Sequence, residues 1–433
     1  MSEPAPTSAA APAGLPRLLA HVSRPRGRAS LAAHRRLLPR PPSPRGRPDF
    51  ALVSAVEGAG LRGRGGAGFP AGKKLRAVSE RDRGRAVVVV NGSEGEPSSA
   101  KDELLLTDTP HLVIDGALSA AAAVAADRVI LCVPASATRS LSSLYQALEE
   151  RAALEPPPIE LGVTIVPDGF VTGEERALVG WLNGAPPVPT TGPRPFERGV
   201  NGRPTLVHNA ETLAQLAQIA AFGAEWFRSV GTPDEPGGAL VTVSGAAAKP
   251  GVYEISFGTP LRHLLDAAGG APDGIGGVLV GGFFGAWIHP AAADTVTLSD
   301  HDLAPLGATL GSGVVAVLPA GACGLWETAR ILRWYRGQSA GQCGPCVHGL
   351  AAIAGAAQHL VDKGGDGTLA RLVRWSGDVQ GRGACRLPDG AVRLLRSALE
   401  VFAADVDAHR RGRPCGASSR APTLPVPGLR AAS

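Results

Sequence analysis

Apolar and polar positions in the first half of the chain follow two alternating periods, which predicts an α/β fold. Short runs of apolar residues are typical of buried strands, and longer stretches with helical spacing lie between them. The predicted strands are residues 85–90, 128–134 and 159–167, and the predicted helices are residues 110–126 and 140–153. Polar loops follow two of the strands, at residues 91–96 and 168–175. Ligands of open α/β sheets bind at the carboxyl ends of strands, so we expect both loops to face one site.

The pattern changes in the second half of the chain. A connection rich in Pro, Gly and Thr spans residues 184–205, and a helix is predicted from His208 to about residue 223. A β-β-α-β order then predicts a small β-grasp domain, from residues 239–244, 251–255, 261–268 and 276–282. Helical patterns dominate the remainder and predict a small helical bundle, from residues 326–336, 346–363, 368–375 and 391–409.

These patterns divide the chain into five predicted segments. A segment rich in Pro, Ala and Arg, which we expect to be a flexible tail, comes first, and a disordered tail comes last. The segments are residues 1–48, an α/β domain at 49–235, a β-grasp domain at 236–322, a helical bundle at 323–416 and the tail at 417–433.

Composition limits the classes of protein that fit. The net charge of +5 is too small and too scattered to indicate a nucleic-acid-binding protein, so we expect no nucleic-acid partner. No apolar run reaches the length of about 18 residues that a membrane helix needs, and no secretory signal is evident. We therefore expect a cytoplasmic protein without direct membrane insertion. Four of the six cysteines fall late in the chain, two of them as C-x-x-C, which indicates metal binding in a reducing compartment.

A glycine-rich loop carries the clearest chemistry. Five glycines fall within residues 60–68, so the backbone can adopt positive φ and bring its N–H groups close to a ligand. Lys73 and Lys74 follow, and together these features predict a phosphate site. The loop spells G-x-G-x-x-G, but a helix precedes it and a strand follows it. That order is the reverse of the dinucleotide fingerprint, so we do not expect a Rossmann turn.

Several motifs occur together in an order that resembles a known family. Residues 60–72, 91–97, 173–175 and 204–212 are similar to the flavin- and NADH-binding subunit of respiratory complex I. They resemble equally the related subunits of NAD-reducing hydrogenases and formate dehydrogenases. Residues 241–288 resemble the SLBB (soluble-ligand-binding β-grasp) domain of that family, and the helical part resembles its iron–sulfur bundle.

The resemblance implies a flavin site, a nucleotide site and an iron–sulfur site. FMN in the α/β domain would perform hydride transfer, with no catalytic side chain, and NADH or NADPH would stack on it. The residues implied for FMN are Gly63, Arg64, Gly65, Gly66, Lys74, Asn91, Glu94, Gly173, Glu174, Glu175, Asn209 and Thr212. Phe69 and Glu96 are implied for the nucleotide. Read without the resemblance, the acidic residues fit a solvated turn or a Mg²⁺ site, and Asn209 and Thr212 an ordinary helix N-terminus.

Two departures from the family pattern concern the nucleotide and the cluster. Ala77, Thr191 and Arg194 stand where the family has an aromatic residue, a Lys and a Phe; a shift of one or two residues would restore a ring at Phe196. Loss of each ring removes stacking of about 0.5–1.5 kcal/mol. We therefore expect NADH binding that is weaker or differently arranged.

The second departure concerns the expected 4Fe–4S cluster, which normally takes four thiolates. Cys343, Cys346 and Cys385 remain in the pattern, but Ala340 occupies the first cysteine position. We predict Cys415 as the fourth ligand, with an unbound tail cysteine as an equal alternative. The pattern also leaves open His348 as a ligand, a three-iron cluster, or zinc held by the four cysteines. Cys132 and Cys323 are predicted to be structural.

These observations predict a flavin-dependent oxidoreductase subunit that passes electrons from NAD(P)H through FMN to an iron–sulfur cluster. Its electron acceptor would be a ferredoxin-like or other iron–sulfur protein, and a peripheral place on a membrane complex is left open. One rival hypothesis is a flavin and iron–sulfur module that no longer oxidises NADH. A second is a zinc-stabilised binding protein.

Overall fold

The computed structural model describes residues 14–22, 26–81, 85–413, 415 and 422–427. The chain divides into two compact units, each built from several stretches of sequence. The first unit comprises Met1–Ser93, Asp102–Asp168 and Pro193–Ala239. The second comprises Glu94–Lys101, Gly169–Gly192 and Leu240–Ser433.

A four-stranded parallel sheet forms the centre of the first unit. Its strands are β1 Ala86–Asn91, β2 Ala126–Pro134, β3 Glu160–Val166 and β4 Thr205–Asn209, in the spatial order β3-β2-β1-β4. Residues 86–90 are buried, as expected for an inner strand of a parallel sheet. The predicted helix at residues 208–223 was wrong at its start, because His208 and Asn209 belong to β4.

The α-helices along this part of the chain pack closely where small residues allow it. They are α1 Leu31–Arg35, α2 Phe50–Ala59, α3 Ala71–Ser79, α4 Lys101–Asp108, α5 Pro110–Val124, α6 Thr138–Leu154, α7 Glu175–Leu182, which belongs to the second unit, and α8 Ala210–Arg228. Every residue of α5 is buried. Gly116 permits α5 to pack closely on α8, because a Cβ at Gly116 would lie 1.9 Å from the Leu213 carbonyl oxygen.

The N-terminal segment was predicted to be flexible, and this was wrong for the described residues. Leu18, Leu31 and Leu38 are each at most 2% exposed. The buried Arg17 guanidinium donates hydrogen bonds to the Phe227 carbonyl (3.1 Å) and to the Ser229 hydroxyl (2.7 Å). The segment therefore contributes to the core of the first unit. Residues 1–13 lie outside the described part of the chain.

The second unit contains a mixed five-stranded sheet. Its strands are β5 Gly238–Gly245, β6 Gly251–Ser256, β7 Ile275–Val280, β8 Ala286–Ile288 and β9 Val314–Pro319, in the order β6-β5-β9-β7-β8. β9 is central, parallel to β5 and antiparallel to β7. The sequence predicted β5, β6 and β7 but missed β8 and β9. β8 has only three residues, which is too short for a periodic pattern.

The remaining helices are α9 Leu261–Ala267, α10 Pro290–Ala293, α11 Asp300–Leu303, α12 Gly324–Gly337, α13 Leu350–Lys363, α14 Asp366–Val379, α15 Leu387–Val401 and α16 Ala403–Arg410. The single helix predicted at residues 391–409 is two helices, because Phe402 between them leaves helical geometry with φ −104° and ψ 37°. The Phe402 ring packs against Trp287 at 4.9 Å between centroids.

The tail predicted as disordered is partly ordered. Leu424 and Val426 are buried in the core of the second unit, at 2% and 7% exposure. Residues 417–421 and 428–433 of that prediction lie outside the described residues. Within the described residues, no helix combines the length and the apolar character required to cross a membrane.

Candidate flavin and iron–sulfur site

The glycine-rich loop joins α2 to α3 in the first unit. Gly60 ends α2 in the left-handed region (φ 72°). The Gly63 N–H donates to the Phe69 carbonyl at 2.8 Å, which closes the loop on itself. Gly66 and Gly68 adopt φ of 103° and 61°, and a Cβ on either would meet no atom within 4 Å. The two glycines therefore leave open space over exposed backbone, as a phosphate-binding loop requires.

Two residues at the start of α8 hold this loop in place. The Arg64 N–H donates to the Thr212 hydroxyl at 2.8 Å. A Cβ on Gly65 would lie 3.4 Å from the Asn209 Cβ, so the loop passes directly over Asn209. The Arg64 side chain is 7% exposed, donates to the Gly238 carbonyl (2.9 Å) and lies 3.9 Å from the Glu211 carboxylate. The structure thus uses Arg64 as an anchor of the loop.

Asn91 and Asn209 are partners in register at the carboxyl ends of β1 and β4. The Asn91 Oδ1 accepts from the Ser93 N–H at 3.1 Å. Asn209 caps α8 through the Glu211 N–H (3.0 Å), and its Nδ2 donates to the Asp102 Oδ2 (2.6 Å). The two amides therefore lie at the edge of the sheet where ligands of α/β folds bind, beside the N-terminus of a 19-residue helix.

Lys74 lies on α3 and reaches the same edge of the sheet. Its Nζ donates to the Val207 carbonyl at 3.0 Å. Burial, and then the charge of Lys74, lower the pKa of His208 to about 3, so this imidazole is neutral. The His208 Nε2 and the Ser93 hydroxyl are buried and have no hydrogen-bond partner among the described residues. Unsatisfied polar atoms, backbone N–H groups and a lysine fit the phosphate and polar edge of FMN.

The acidic residues implied for flavin and nucleotide lie in the second unit. The Ser99 hydroxyl donates to the Glu94 carboxylate at 2.5 Å. Glu96 is 5% exposed and accepts from the backbone N–H groups of Ser98 (3.2 Å) and Phe283 (2.8 Å). Burial raises the pKa of Glu96 to about 7. Phe69, in the first unit, is 47% exposed and offers an uncovered ring.

The Gly173-Glu174-Glu175 segment begins α7. The Glu174 carboxylate caps this helix and accepts from the N–H groups of Arg176 (3.0 Å) and Ala177 (2.9 Å). Just before it, Phe170 approaches the acidic loop, because a Cβ on Gly95 would lie 3.0 Å from the Phe170 Cα. The loops after β1 and β3 therefore approach each other through Gly95 and Phe170.

Three cysteines of the iron–sulfur motif lie in the second unit. Cys343 and Cys346 flank the start of a π-helical turn, Pro345–Gly349, and the Cys346 N–H donates to the Cys343 carbonyl at 3.0 Å. Burial raises the pKa of the Cys385 thiol, and the charges of Cys346 and Cys343 raise it further. Cys346 belongs to the core of the second unit, and Cys343 and Cys385 pack against the same core.

Comparison with known proteins places these observations in a family. The family description "Nuo51 FMN-binding domain" matches residues 56–218, "SLBB domain" matches 240–277, and "NADH-ubiquinone oxidoreductase-F iron-sulfur binding region" matches 327–409. The F subunit of NADH-quinone oxidoreductase from Mycobacterium bovis is 32% identical over 392 residues, covering 85% of this chain and 86% of the relative. The F 2 subunit of the same enzyme from Rhizobium meliloti is also 32% identical, covering 84% and 90%. The chain belongs to the family of NADH-quinone oxidoreductase F subunits.

A solved structure supports the same placement. A chain of the NAD⁺-reducing NiFe hydrogenase, in its air-oxidised state, superimposes with a TM-score of 0.77 at 32% identity. The match covers 83% of this chain and 62% of the hydrogenase chain. Membership of this family confirms the predicted fold class and the NADH dehydrogenase type of oxidoreductase. FMN and a 4Fe–4S cluster are its cofactors.

Cys415, the predicted fourth ligand of the cluster, lies beside a different pair of residues. Its thiol lies with Cys323 and His409, their ligand atoms within 4.8 Å of one another. The structure therefore gives Cys415 a different set of neighbours from Cys343, Cys346 and Cys385. Cys323, predicted to be merely structural, belongs to this second group.

Of the residues that differ from the family pattern at the nucleotide site, Ala77 and Arg194 lie in the first unit and Thr191 lies in the second. Arg194 is exposed, and its N–H donates to the Glu197 carboxylate at 3.2 Å. Phe196, the ring that a shifted alignment would supply, packs under the Arg81 guanidinium at 5.1 Å. Ala77 lies half-buried on α3, and Thr191 is exposed in the second unit. The structure thus pairs the Phe196 ring with a cation of the first unit.

Residues that connect the motifs were not among the predicted site residues. The Gln338 side chain accepts from the Phe170 N–H at 2.9 Å, and it lies directly before the motif that contains Ala340. The Phe170 ring stacks on Phe284 with centroids 4.5 Å apart. Gln338 thus links the loop after β3 to the cluster segment. The position of Gln338, two residues before the cluster motif, could have identified it as a candidate from the sequence.

Proposed function

We propose that this chain oxidises NADH through FMN and passes the electrons, by way of its iron–sulfur cluster, to an iron–sulfur protein partner. The observation that supports this most is the pairing of Asn91 and Asn209 under the glycine loop at the carboxyl ends of β1 and β4. When bound, FMN supplies the acceptance of a hydride and the release of single electrons. The chain supplies binding and orientation.

In this proposal each group of residues has a defined task. The backbone N–H groups of Gly65 and Gly66, with Lys74, hold the FMN phosphate. Asn91, Asn209, Glu94 and the Gly173–Glu175 segment hold the polar edge of the flavin. Thr212 and Arg64 act as positioning residues, because their hydrogen bond fixes the loop. Phe69 and Glu96 belong to the nucleotide site, with Phe69 as the ring-stacking surface.

In this proposal Cys343, Cys346 and Cys385, which share one core, hold three corners of the cluster. We propose that the fourth iron has no cysteine ligand, because Ala340 occupies that position and Cys415 lies with Cys323 and His409. A corner without thiolate loses its iron more readily. We also propose that the chain works as a peripheral subunit with further protein partners.

The test uses the full chain, purified and reconstituted without oxygen. Stoichiometric NADH should bleach the flavin absorbance, and NADPH serves as the comparison. Gly65→Val fills the space against Asn209 and should lower FMN content at least about tenfold, since a loop of this type needs close approach to the ligand. Gly162→Val is the matched control, because a Cβ there meets nothing within 4 Å.

A second candidate function is an electron-transfer module that no longer oxidises NADH. It is favoured by Ala77, Thr191 and Arg194, which stand where the family has an aromatic residue, a Lys and a Phe. Normal FMN content with a flavin that neither NADH nor NADPH bleaches would decide for this candidate. Reduction by dithionite, followed by electron transfer to a ferredoxin-like protein, would then measure the remaining activity.

A further inference from the structure

A second group of metal-type ligands lies in the second unit, away from the cluster motif in the sequence. Cys323 immediately precedes α12, His409 lies on α16, and Cys415 follows that helix. The two sulfurs and the imidazole nitrogen lie within 4.8 Å of one another. Cys323 and His409 are 1% and 3% exposed. These residues are not among the ligands that the family motif implies.

We propose that Cys323, His409 and Cys415 bind a structural zinc ion. The Cys323 Sγ lies 3.4 Å from the His409 Nε2. Ligands at the usual Zn–S and Zn–N lengths of about 2.3 and 2.0–2.1 Å are about 3.5 Å apart when they share a tetrahedral ion. The Cys415 Sγ lies beside both of these atoms, within the same 4.8 Å, so three ligand atoms converge on one point.

The surroundings of the group suit an ion that is held permanently. The Trp326 N–H donates to the Cys323 Sγ at 3.3 Å, and a thiolate at a helix N-terminus is stabilised in this way. The Asp405 carboxylate accepts from the Gly324 N–H at 3.3 Å, and its charge acts on both Cys323 and His409. A water oxygen would complete the four ligands, because no further Cys, His, Asp or Glu of the described residues has a ligand atom within 4.8 Å of all three. Binding displaces the two thiol protons to solvent, and no electron transfer is involved.

Zinc at this site would fasten the end of the chain to the helical bundle. Thr423 lies at α12, where its N–H donates to the Glu327 carboxylate at 2.6 Å. Leu424 is buried in the same core. The ion would therefore connect α12, α16 and the C-terminal segment. This inference does not depend on FMN or NADH binding.

The test measures zinc and iron per chain in the full-length protein. We expect about one zinc per chain, and Cys323→Ala, His409→Ala and Cys415→Ala should each lower it at least about tenfold. Cys132→Ala, a buried cysteine of β2, and His359→Ala, an exposed histidine of α13, are the matched controls. Both controls should keep the zinc. The double variant Cys343→Ala/Cys346→Ala should lose iron but retain zinc.

Zinc X-ray absorption of the unmodified protein supplies a measurement that no folding defect affects. It should show two sulfur neighbours with nitrogen or oxygen completing four ligands. Loss of zinc in the Cys343→Ala/Cys346→Ala variant, with zinc retained in Cys323→Ala and Cys415→Ala, would place the ion in the cluster site and overturn the proposal. A wild-type chain without zinc, or with a Cys323–Cys415 disulfide by mass, would overturn it equally.

Discussion

Single residues at the flavin site act mainly through buried hydrogen bonds to the loops around it. The Thr212 hydroxyl accepts the Arg64 N–H, and Asp102 accepts the Asn209 amide. Each hydrogen bond joins the end of one element to another, so the positions of the glycine loop, β4 and α8 are fixed relative to one another. The role of Asp102 could not be predicted, because the partner of a side chain cannot be read from a single sequence.

We predict that Thr212→Val weakens FMN binding without unfolding the protein. The substitution keeps the shape of the side chain but leaves the buried Arg64 N–H unpaired, at a cost of about 1–3 kcal/mol. If that cost falls on the loop conformation that binds FMN, the dissociation constant should rise by roughly tenfold or more. Flavin fluorescence after dilution measures it. Thr259→Val, which removes a hydroxyl bond to the Ser256 carbonyl in the second unit, should leave FMN binding unchanged.

Glu96 supplies a prediction about pH. Because its pKa is about 7 in the folded protein and near 4.5 when unfolded, the folded state holds a proton that the unfolded state has lost. The contribution of Glu96 to the free energy of unfolding is therefore fully present below about pH 4.5. It is lost as the pH rises through 7, by on the order of 3 kcal/mol.

We predict that Glu96→Gln removes the loss of stability that accompanies ionisation of the buried Glu96 carboxyl. The midpoint of thermal unfolding of the variant, relative to that of the wild type, should be higher at about pH 8.5 than at about pH 5.5. The exposed Glu149→Gln on α6 is the control and should show no such difference. An identical difference at both pH values would mean that Glu96 is ionised throughout.

At the scale of elements, a short turn positions one cluster cysteine, Cys346, three residues after Cys343. The π-helical turn Pro345–Gly349 places Cys346 in the core while Cys343 stays half-buried. Ala340 lies in the segment before it and packs against the same core. The C-x-x-C spacing could be read from the sequence, but the π-helical turn could not, since local spacing does not distinguish it from an α-helix.

We predict that Ala340→Cys stabilises the cluster against oxygen. The substitution restores the first cysteine of the motif, so a cubane would have four thiolates in place of three. After exposure to air, iron should remain near four per chain in the variant and fall to about three in the wild type, with the spin signal of a three-iron cluster. Ser339→Cys, one residue away, is the matched control and should behave as the wild type.

At the scale of the whole molecule, the sequence located the glycine loop and most strands of the α/β part better than the two units to which they belong. The glycine loop and the strand ends were found, because glycine runs and apolar runs are local signals. β4 was missed because its five residues continue directly into α8. The interleaved units, with Glu94–Lys101 belonging to the second, depend on contacts between distant residues that no local pattern encodes.

Buried histidines in the first unit should make the protein less stable in acid. Burial, and then the charge of His34, lower the pKa of His21 to about 3. Burial, and then Arg151, lower the pKa of His111 to about 4. Histidines of the unfolded chain take up protons near pH 6.5, whereas these buried ones stay neutral. The free energy of unfolding is therefore unaffected by them above that pH and falls as the pH drops toward 4. Asp115 adds to this loss below about pH 4. Burial alone would raise the pKa of Asp115, but the hydrogen bond with His34 and the charge of Arg151 hold it below the usual range, and that stabilisation is lost as Asp115 takes up a proton.

We therefore expect the N-terminal segment, which carries His21 and His34, to lose protection from hydrogen exchange first on acidification. His21→Phe should reduce the loss of stability between about pH 7.5 and pH 5, because the ring keeps its contact with His34 (5.4 Å between centroids) without taking up a proton. The His21 Nδ1 has no hydrogen-bond partner among the described residues, so little is forfeited at neutral pH. The same replacement at the exposed His359 should not change the pH dependence. If both variants lose as much stability as each other between about pH 7.5 and pH 5, His21 is not the cause of the acid sensitivity.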